Sequence, residues 1–204
     1  MSNLKDILAR LMLAAFLSCC AGAGMGTAAA GPLYSVRIDT ATLGSGPAYL
    51  GLYFLGLADA APASATVSNL AGALDGTADV TGTIAGALPG PLVFSNANGG
   101  SELVQGITLG GVFSFDLTFL MTAGEVGSTF SWALFNETAY LGADGNLGMV
   151  SLQPGAAPGG AYLLTNASAA SSVQVVPEPA TMWLMLAAIP LAMLARRRRM
   201  RHLP

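Results

Sequence analysis

Val112-Phe113-Ser114-Phe115-Asp116-Leu117-Thr118-Phe119-Leu120 is the stretch that decides the fold of this chain. Phe113, Phe115, Leu117 and Phe119 alternate with Ser114, Asp116 and Thr118. A period of two puts every second side chain on the same side of an extended strand, so this stretch reads as a strand with one face in a core and one in water. Phe130, Trp132 and Leu134 repeat the pattern around Ser131 and Ala133, and Tyr34, Val36 and Ile38 repeat it around Ser35 and Arg37. Further strands are expected at Tyr49 to Leu55, Thr66 to Leu70, Val80 to Ile84, Leu92 to Ser95, Glu102 to Leu109, Leu147 to Leu152, Tyr162 to Thr165 and Val173 to Val176. Turn-forming residues separate them at Gly44-Ser45-Gly46-Pro47, Pro89-Gly90-Pro91, Asn98-Gly99-Gly100 and Asp144-Gly145-Asn146. Many short strands at this spacing predict a mainly β body, folded as an antiparallel β-sandwich or jelly roll. Gly51, Gly82 and Gly106, inside the expected strands, read as bulge positions.

The 204 residues leave room for one domain and two specialised ends. Only 9% of them are charged while 53% are hydrophobic, far from the quarter charged that is usual for a soluble enzyme. Charge is also unevenly placed. Lys5 and Arg10 stand at the front and five arginines at the back, which leaves Arg37 alone between residues 31 and 176 against nine Asp and Glu residues. A body this acidic is repelled by phosphate backbones, so nucleic acid is excluded as a partner.

The front end has the grammar of a signal peptide, residues 1–30: Lys5 and Arg10, an apolar stretch from Leu11 to Phe16, then small residues that fit cleavage after Ala23 or, preferably, after Ala30. Cys19 and Cys20 fall inside it and match a lipidation pattern poorly. The mature body therefore has no cysteine, and packing alone must stabilise it. Residues 31–154 form the expected extracytoplasmic β-rich domain. Gly155 to Ser172 is rich in Gly, Ala and Ser and reads as a linker, with a last strand closing the segment 155–176.

The back end, residues 177–204, begins at Pro177-Glu178-Pro179. Two prolines around a glutamate cannot sit inside a helix or a central strand, so this is an extended, accessible peptide. An apolar run from Met182 to Ala195, interrupted by Pro190, follows and ends in Arg196, Arg197, Arg198, Arg199 and Arg201. From Ala180 the sixteen uncharged residues reach ~24 Å as a helix, short for the bilayer core but extended by arginines that snorkel to the interface. A basic cluster on one side of a single transmembrane helix sets that side in the cytoplasm and the body outside.

Pro-Glu-Pro, one hydrophobic helix and a terminal arginine cluster, in that order, resemble the PEP-CTERM sorting signal of Gram-negative bacteria. The resemblance covers about the last thirty residues. It implies a substrate of an exosortase, a membrane-embedded protease or transpeptidase. Pro177, Glu178 and Pro179 would be its recognition element, and Arg196 to Arg199 with Arg201 the cytoplasmic stop. The implied course is insertion in the cytoplasmic membrane, processing, then retention in the envelope or release to the cell surface, with exopolysaccharide as a neighbour there.

The body offers little chemistry. The single histidine, His202, lies in the arginine tail, so no Ser-His-Asp arrangement or histidine metal site can be built, and the chain is expected not to be an enzyme and to need no cofactor or metal. The carboxylate pairs Asp75 with Asp79 and Asp116 with Glu125 are the minor glycosidase alternative. Asp144-Gly145-Asn146 and the Asp75 to Asp79 loop are the minor calcium alternative, though turns favour these residues in any case. Asn136-Glu137-Thr138 fits a glycosylation sequon. Tyr49, Tyr53, Trp132 and Tyr140 are the candidates for a carbohydrate platform, with packing in the core the leading alternative for most of them. The leading expectation is a non-catalytic matrix or adhesive protein, with a carbohydrate- or calcium-binding module as the alternative.

Overall fold

The alternating stretch at Val112 is a strand at the heart of a mainly β structure. The computed structural model describes residues 32–155 and 161–176. Among them are β1 (Leu33–Asp39), β2 (Gly46–Gly56), β3 (Ala63–Ala71), β4 (Leu74–Thr81), β5 (Ile84–Gly86), β6 (Leu92–Ser95), β7 (Gly100–Leu109), β8 (Val112–Met121), β9 (Ser128–Phe135), β10 (Tyr140–Gln153), β11 (Ala161–Asn166) and β12 (Ser171–Val176), with one 3-10 turn at Ala97–Gly99. They form two six-stranded sheets, ordered β12-β1-β8-β3-β6-β5 and β11-β10-β9-β2-β7-β4, and neighbouring strands are antiparallel throughout.

The period of two explains the layering. Phe113, Phe115, Leu117 and Phe119 of β8 all point inward and are at most 1% exposed, and they meet Leu50, Leu52 and Phe54 of β2 and Phe130, Trp132 and Leu134 of β9 in one shared core. Aromatic edges lock the layers: Phe115 meets Trp132 edge-on at 6.0 Å between centroids, Phe119 meets Phe130 at 6.1 Å and Phe94 meets Phe130 at 5.5 Å. Burying a side chain of this size is worth about 1.5–3 kcal/mol, and an aromatic pair adds about 0.5–1.5 kcal/mol. The core is therefore the main source of stability in a body without cysteines.

Several expectations change. Val80 to Ile84 is not one strand: Gly82, at φ 79°, turns the chain from β4 into β5. Asp144-Gly145-Asn146 does not separate strands but lies inside β10, where the pairing with β9 jumps from Leu141 to Asn146 and again at Gly148. The bulges therefore fall there, at Ser68 to Ala71 and at Asp75 to Asp79; Gly51 sits in regular pairing, and Gly106 pairs regularly with β2 but flanks the β4 bulge on its other side. The described part of the expected linker is β11, a turn and β12. Polar side chains hold it alongside the packing of Tyr162, Leu164 and Val173 on the core: Asn166 Nδ2 donates to the Ser171 carbonyl at 2.6 Å, Ser168 Oγ to the Gly142 carbonyl at 2.7 Å, and Trp132 Nε1 to Ser171 Oγ at 3.0 Å. A Gly/Ala/Ser composition hides such anchors from a hydrophobic pattern.

The signal peptide, the Pro177-Glu178-Pro179 motif, the apolar run and the arginine cluster lie outside the described residues. Among the described residues no helix is long and apolar enough to cross a membrane. β12 pairs with β1 so that Val176 stands opposite Leu33, and the chain enters and leaves the described fold side by side at one sheet edge.

Candidate functional site

Three cavities differ in what they offer. One of about 610 Å³ is lined by Leu57, Ala60, Pro62, Asn96, Asn98 and neighbouring small residues, without a titratable group among its Ala, Gly, Ser, Asn, Pro and Leu lining. A second, of about 500 Å³, is an apolar seam between the edge strands β4 and β5, with Leu74, Val80, Ile84 and Leu88 in its wall. The third, of about 280 Å³, lies on the outer face of the second sheet and joins an aromatic ring, Tyr49, to two carboxylates, Asp75 and Asp79.

The outer face around that third cleft is built by register. Ala48, Leu50, Leu52 and Phe54 of β2 face the core, so Tyr49, Gly51 and Tyr53 face outward. Gly106 and Phe135 are the partners of Tyr49 on its two sides, Asp75 pairs with Gly106, and Tyr140 pairs with Phe135. Asp75, Gly106, Tyr49, Phe135 and Tyr140 thus form one row crossing five strands, four steps of ~4.8 Å or ~19 Å in all. Within it Tyr49 stacks on Phe135 at 5.5 Å and 27°, and Phe135 meets Tyr140 edge-on at 6.1 Å. Tyr49 and Tyr140 keep 38% and 56% of their surface exposed, so the rings are available to a ligand.

Glycine and a bulge give the face its shape. Gly106 leaves the row without a side chain between Tyr49 and Asp75, which opens the cleft; a Cβ there would also approach the Asp75 carbonyl to 2.7 Å. Gln105, buried beneath, donates to that same carbonyl at 2.8 Å and holds β4 in place. Asp75 pairs with Gly106 and Asp79 with Val104, so four residues of β4 span two of β7. The bulge brings the two carboxylates to adjacent outward positions, ~7 Å apart along the sheet where a regular strand would set them ~13 Å apart.

Tyr53 lies back over Gly51, whose missing side chain makes room for the ring. Its phenol is held above the ordinary value by burial first, then by Glu102, its partner on β7, and by Tyr140. It stays protonated at neutral pH and is a hydroxyl donor to this face.

Three of the four expected platform residues, Tyr49, Tyr53 and Tyr140, are therefore on the outer face of the second sheet. Trp132 is not. It is fully buried, edge-on to Phe115, with its indole bonded to Ser171. Phe135 belongs to the row and went unnoticed in the sequence, although its parity signals it: Phe130, Trp132 and Leu134 point inward, so the next residue points out.

The other candidates are placed apart. Asp116 is on β8 of the first sheet, where it accepts from Asn69 Nδ2 at 2.8 Å. Glu125 lies beyond the end of that strand, ~17 Å further along five residues of β8, too far for a carboxylate pair at one bond. Asn136 Oδ1 accepts from the Thr138 and Ala139 amides at 2.9 Å each and caps the turn into β10. Among the described residues no group of three or more His, Cys, Asp or Glu is placed to hold a metal ion.

No protein-family model matches the chain, and comparison with curated proteins and with solved structures finds no match.

Proposed function

We propose that this chain is an exported β-sandwich protein of the cell envelope or extracellular matrix, non-catalytic, that holds glycan on the outer face of its second sheet. The observation that carries the reading is the cross-strand row Tyr49, Phe135 and Tyr140, continued by the Gly106 cleft to Asp75. Aromatic rings left exposed on a sheet face offer their π surface to the apolar C–H side of a sugar, and carboxylates and phenols beside them accept and donate to its hydroxyls. A core would not leave these rings exposed.

Delivery belongs to the tail. The motif Pro177-Glu178-Pro179 follows directly on β12, and the apolar run and the arginines follow it in the order of an exosortase signal. On this reading the body is held outside the membrane until the tail is processed.

Two experiments test the two halves. Glu178→Ala in the native host is expected to change the size and location of the protein; unchanged processing and release would remove the sorting half. Electrophoresis of the purified full chain through gels containing neutral polysaccharide is expected to show retardation that Tyr49→Ala with Tyr140→Ala abolishes. Equal mobility with and without polysaccharide, over a panel of several, would remove the glycan half.

A further inference from the structure

We infer that the ligand of this face is an uncharged polysaccharide, and that Asp75 and Asp79 act as a filter against polymers of uronic acid. The inference rests on the glycan-binding reading and adds the class of glycan.

A sugar ring seated in the Gly106 cleft has Tyr49 as one wall and β4 as the other. Both carboxylates of β4 are exposed on the outer face at this point because the bulge between them removes the extra length that would carry Asp79 away from the row. Glu102 adds a third carboxylate on the same face, opposite Tyr53. Among the described residues no cation offsets them: Arg37 is the sole basic residue from 31 to 176, and it lies on β1 of the other sheet. A neutral sugar meets hydroxyl acceptors here. A uronate brings its own carboxylate to within the Debye length of two or three others, ~10 Å at 0.1 M salt, where like charges repel.

The chain is purified whole in a detergent without a sugar headgroup. It is titrated by affinity electrophoresis with hydroxyethylcellulose and galactomannan as neutral probes and polygalacturonate as the anionic probe. With Arg196 to Arg199 and Arg201 changed to Gln, so that the tail does not itself draw a polyanion, the expected result at low salt is binding of at least one neutral polymer at least tenfold tighter than polygalacturonate, with the gap closing as salt rises. Asp75→Asn with Asp79→Asn keeps the side-chain shape but removes both charges and turns one acceptor oxygen of each carboxylate into a donating amide, so it is expected to strengthen polygalacturonate binding severalfold and to narrow its gap from the neutral polymers. Tyr49→Ala is expected to weaken every probe.

Equal binding of neutral and anionic polymers, or a double Asn variant with no gain toward polygalacturonate, overturns the filter and leaves the glycan reading intact. Binding of no probe by the folded wild-type chain overturns both. Circular dichroism of each variant separates lost binding from lost fold.

Discussion

Trp132→Phe separates a core tryptophan from a platform tryptophan. The phenyl ring keeps the edge-on contact with Phe115 but cannot donate to Ser171 Oγ, which is 3.0 Å from the indole nitrogen, and Ser171 is 3% exposed. A buried hydroxyl deprived of its partner costs about 1–3 kcal/mol. The smaller ring also leaves a void on the order of 40 Å³, worth about 1 kcal/mol at ~24 cal/mol per Å³. The expected loss is about 2–4 kcal/mol, a fall in Tm of roughly 5–15 °C for a domain of this size. Thermal unfolding should be followed by far-UV circular dichroism, since the change removes one of the chain's two tryptophans. Adding Ser171→Ala to Trp132→Phe should cost less than Ser171→Ala does alone, because the partner is already gone. Below its Tm the variant should bind glycan as the wild type does. A variant with unchanged Tm and no glycan binding would put Trp132 on the surface and refute the packing described here.

Asn96→Ala should be equally severe, about 2–4 kcal/mol, because one buried amide serves three partners: it accepts from the Ala63 amide at 3.0 Å and donates to the Ala61 carbonyl at 2.7 Å and to Ser128 Oγ at 2.8 Å. Asn96→Asp should destabilise at neutral pH and recover as pH falls, since only a protonated carboxyl can donate to Ala61; Tm measured against pH checks both variants. Gly148→Ala should cost about 1–3 kcal/mol by overpacking, because its Cβ would overlap the Trp132 ring, running into Cζ2 first, with Cε2 at 2.7 Å and Cη2 at 2.9 Å; urea unfolding gives the number. The phenols of Tyr34, Tyr53 and Tyr162 are all held above their ordinary value by burial, Tyr34 also by Tyr162 and Tyr53 also by Glu102 and Tyr140. Their neutral forms are favoured in the fold, so their contribution is complete below pH ~10 and declines as pH rises through the folded values; Tm should be insensitive to these groups from pH 6 to about 9, and phenolate absorbance should appear together with unfolding above that.

The fold was legible where the pattern was strictly alternating. Phe113 to Phe119 and Phe130 to Leu134 predict both their strands and their inward faces, because each inward position is large and each outward one small or polar. The last part of the body was partly legible: Tyr162 to Thr165 and Val173 to Val176 predict β11 and β12, but the turn between them is held by Asn166, Ser168 and Ser171, and a hydroxyl that bonds a buried indole looks in sequence like any serine of a flexible stretch. β10 was misread for a related reason. Asp144-Gly145-Asn146 has turn composition, yet pairing with β9 on both sides of it turns the excursion into a bulge within one strand.

The site was half legible. Exposed tyrosines were proposed for sugar, and Asp75 with Asp79 for chemistry, as unconnected features. What joins them is the register of β4, β7, β2, β9 and β10, and cross-strand register is fixed by packing that no local window contains. Trp132 was a platform candidate by residue type, although its parity with Phe130 already places it inside.

Binding of neutral glycan by the outer row is measured residue by residue by tyrosine footprinting of the whole chain. Nitration followed by peptide mass spectrometry should label Tyr49 and Tyr140, exposed by 38% and 56%, and spare Tyr34, exposed by 3%. With saturating neutral polysaccharide, labelling of Tyr49 and Tyr140 should fall severalfold while Tyr34 stays unlabelled. Equal labelling of Tyr49 and Tyr140 with and without bound polysaccharide would contradict the claim.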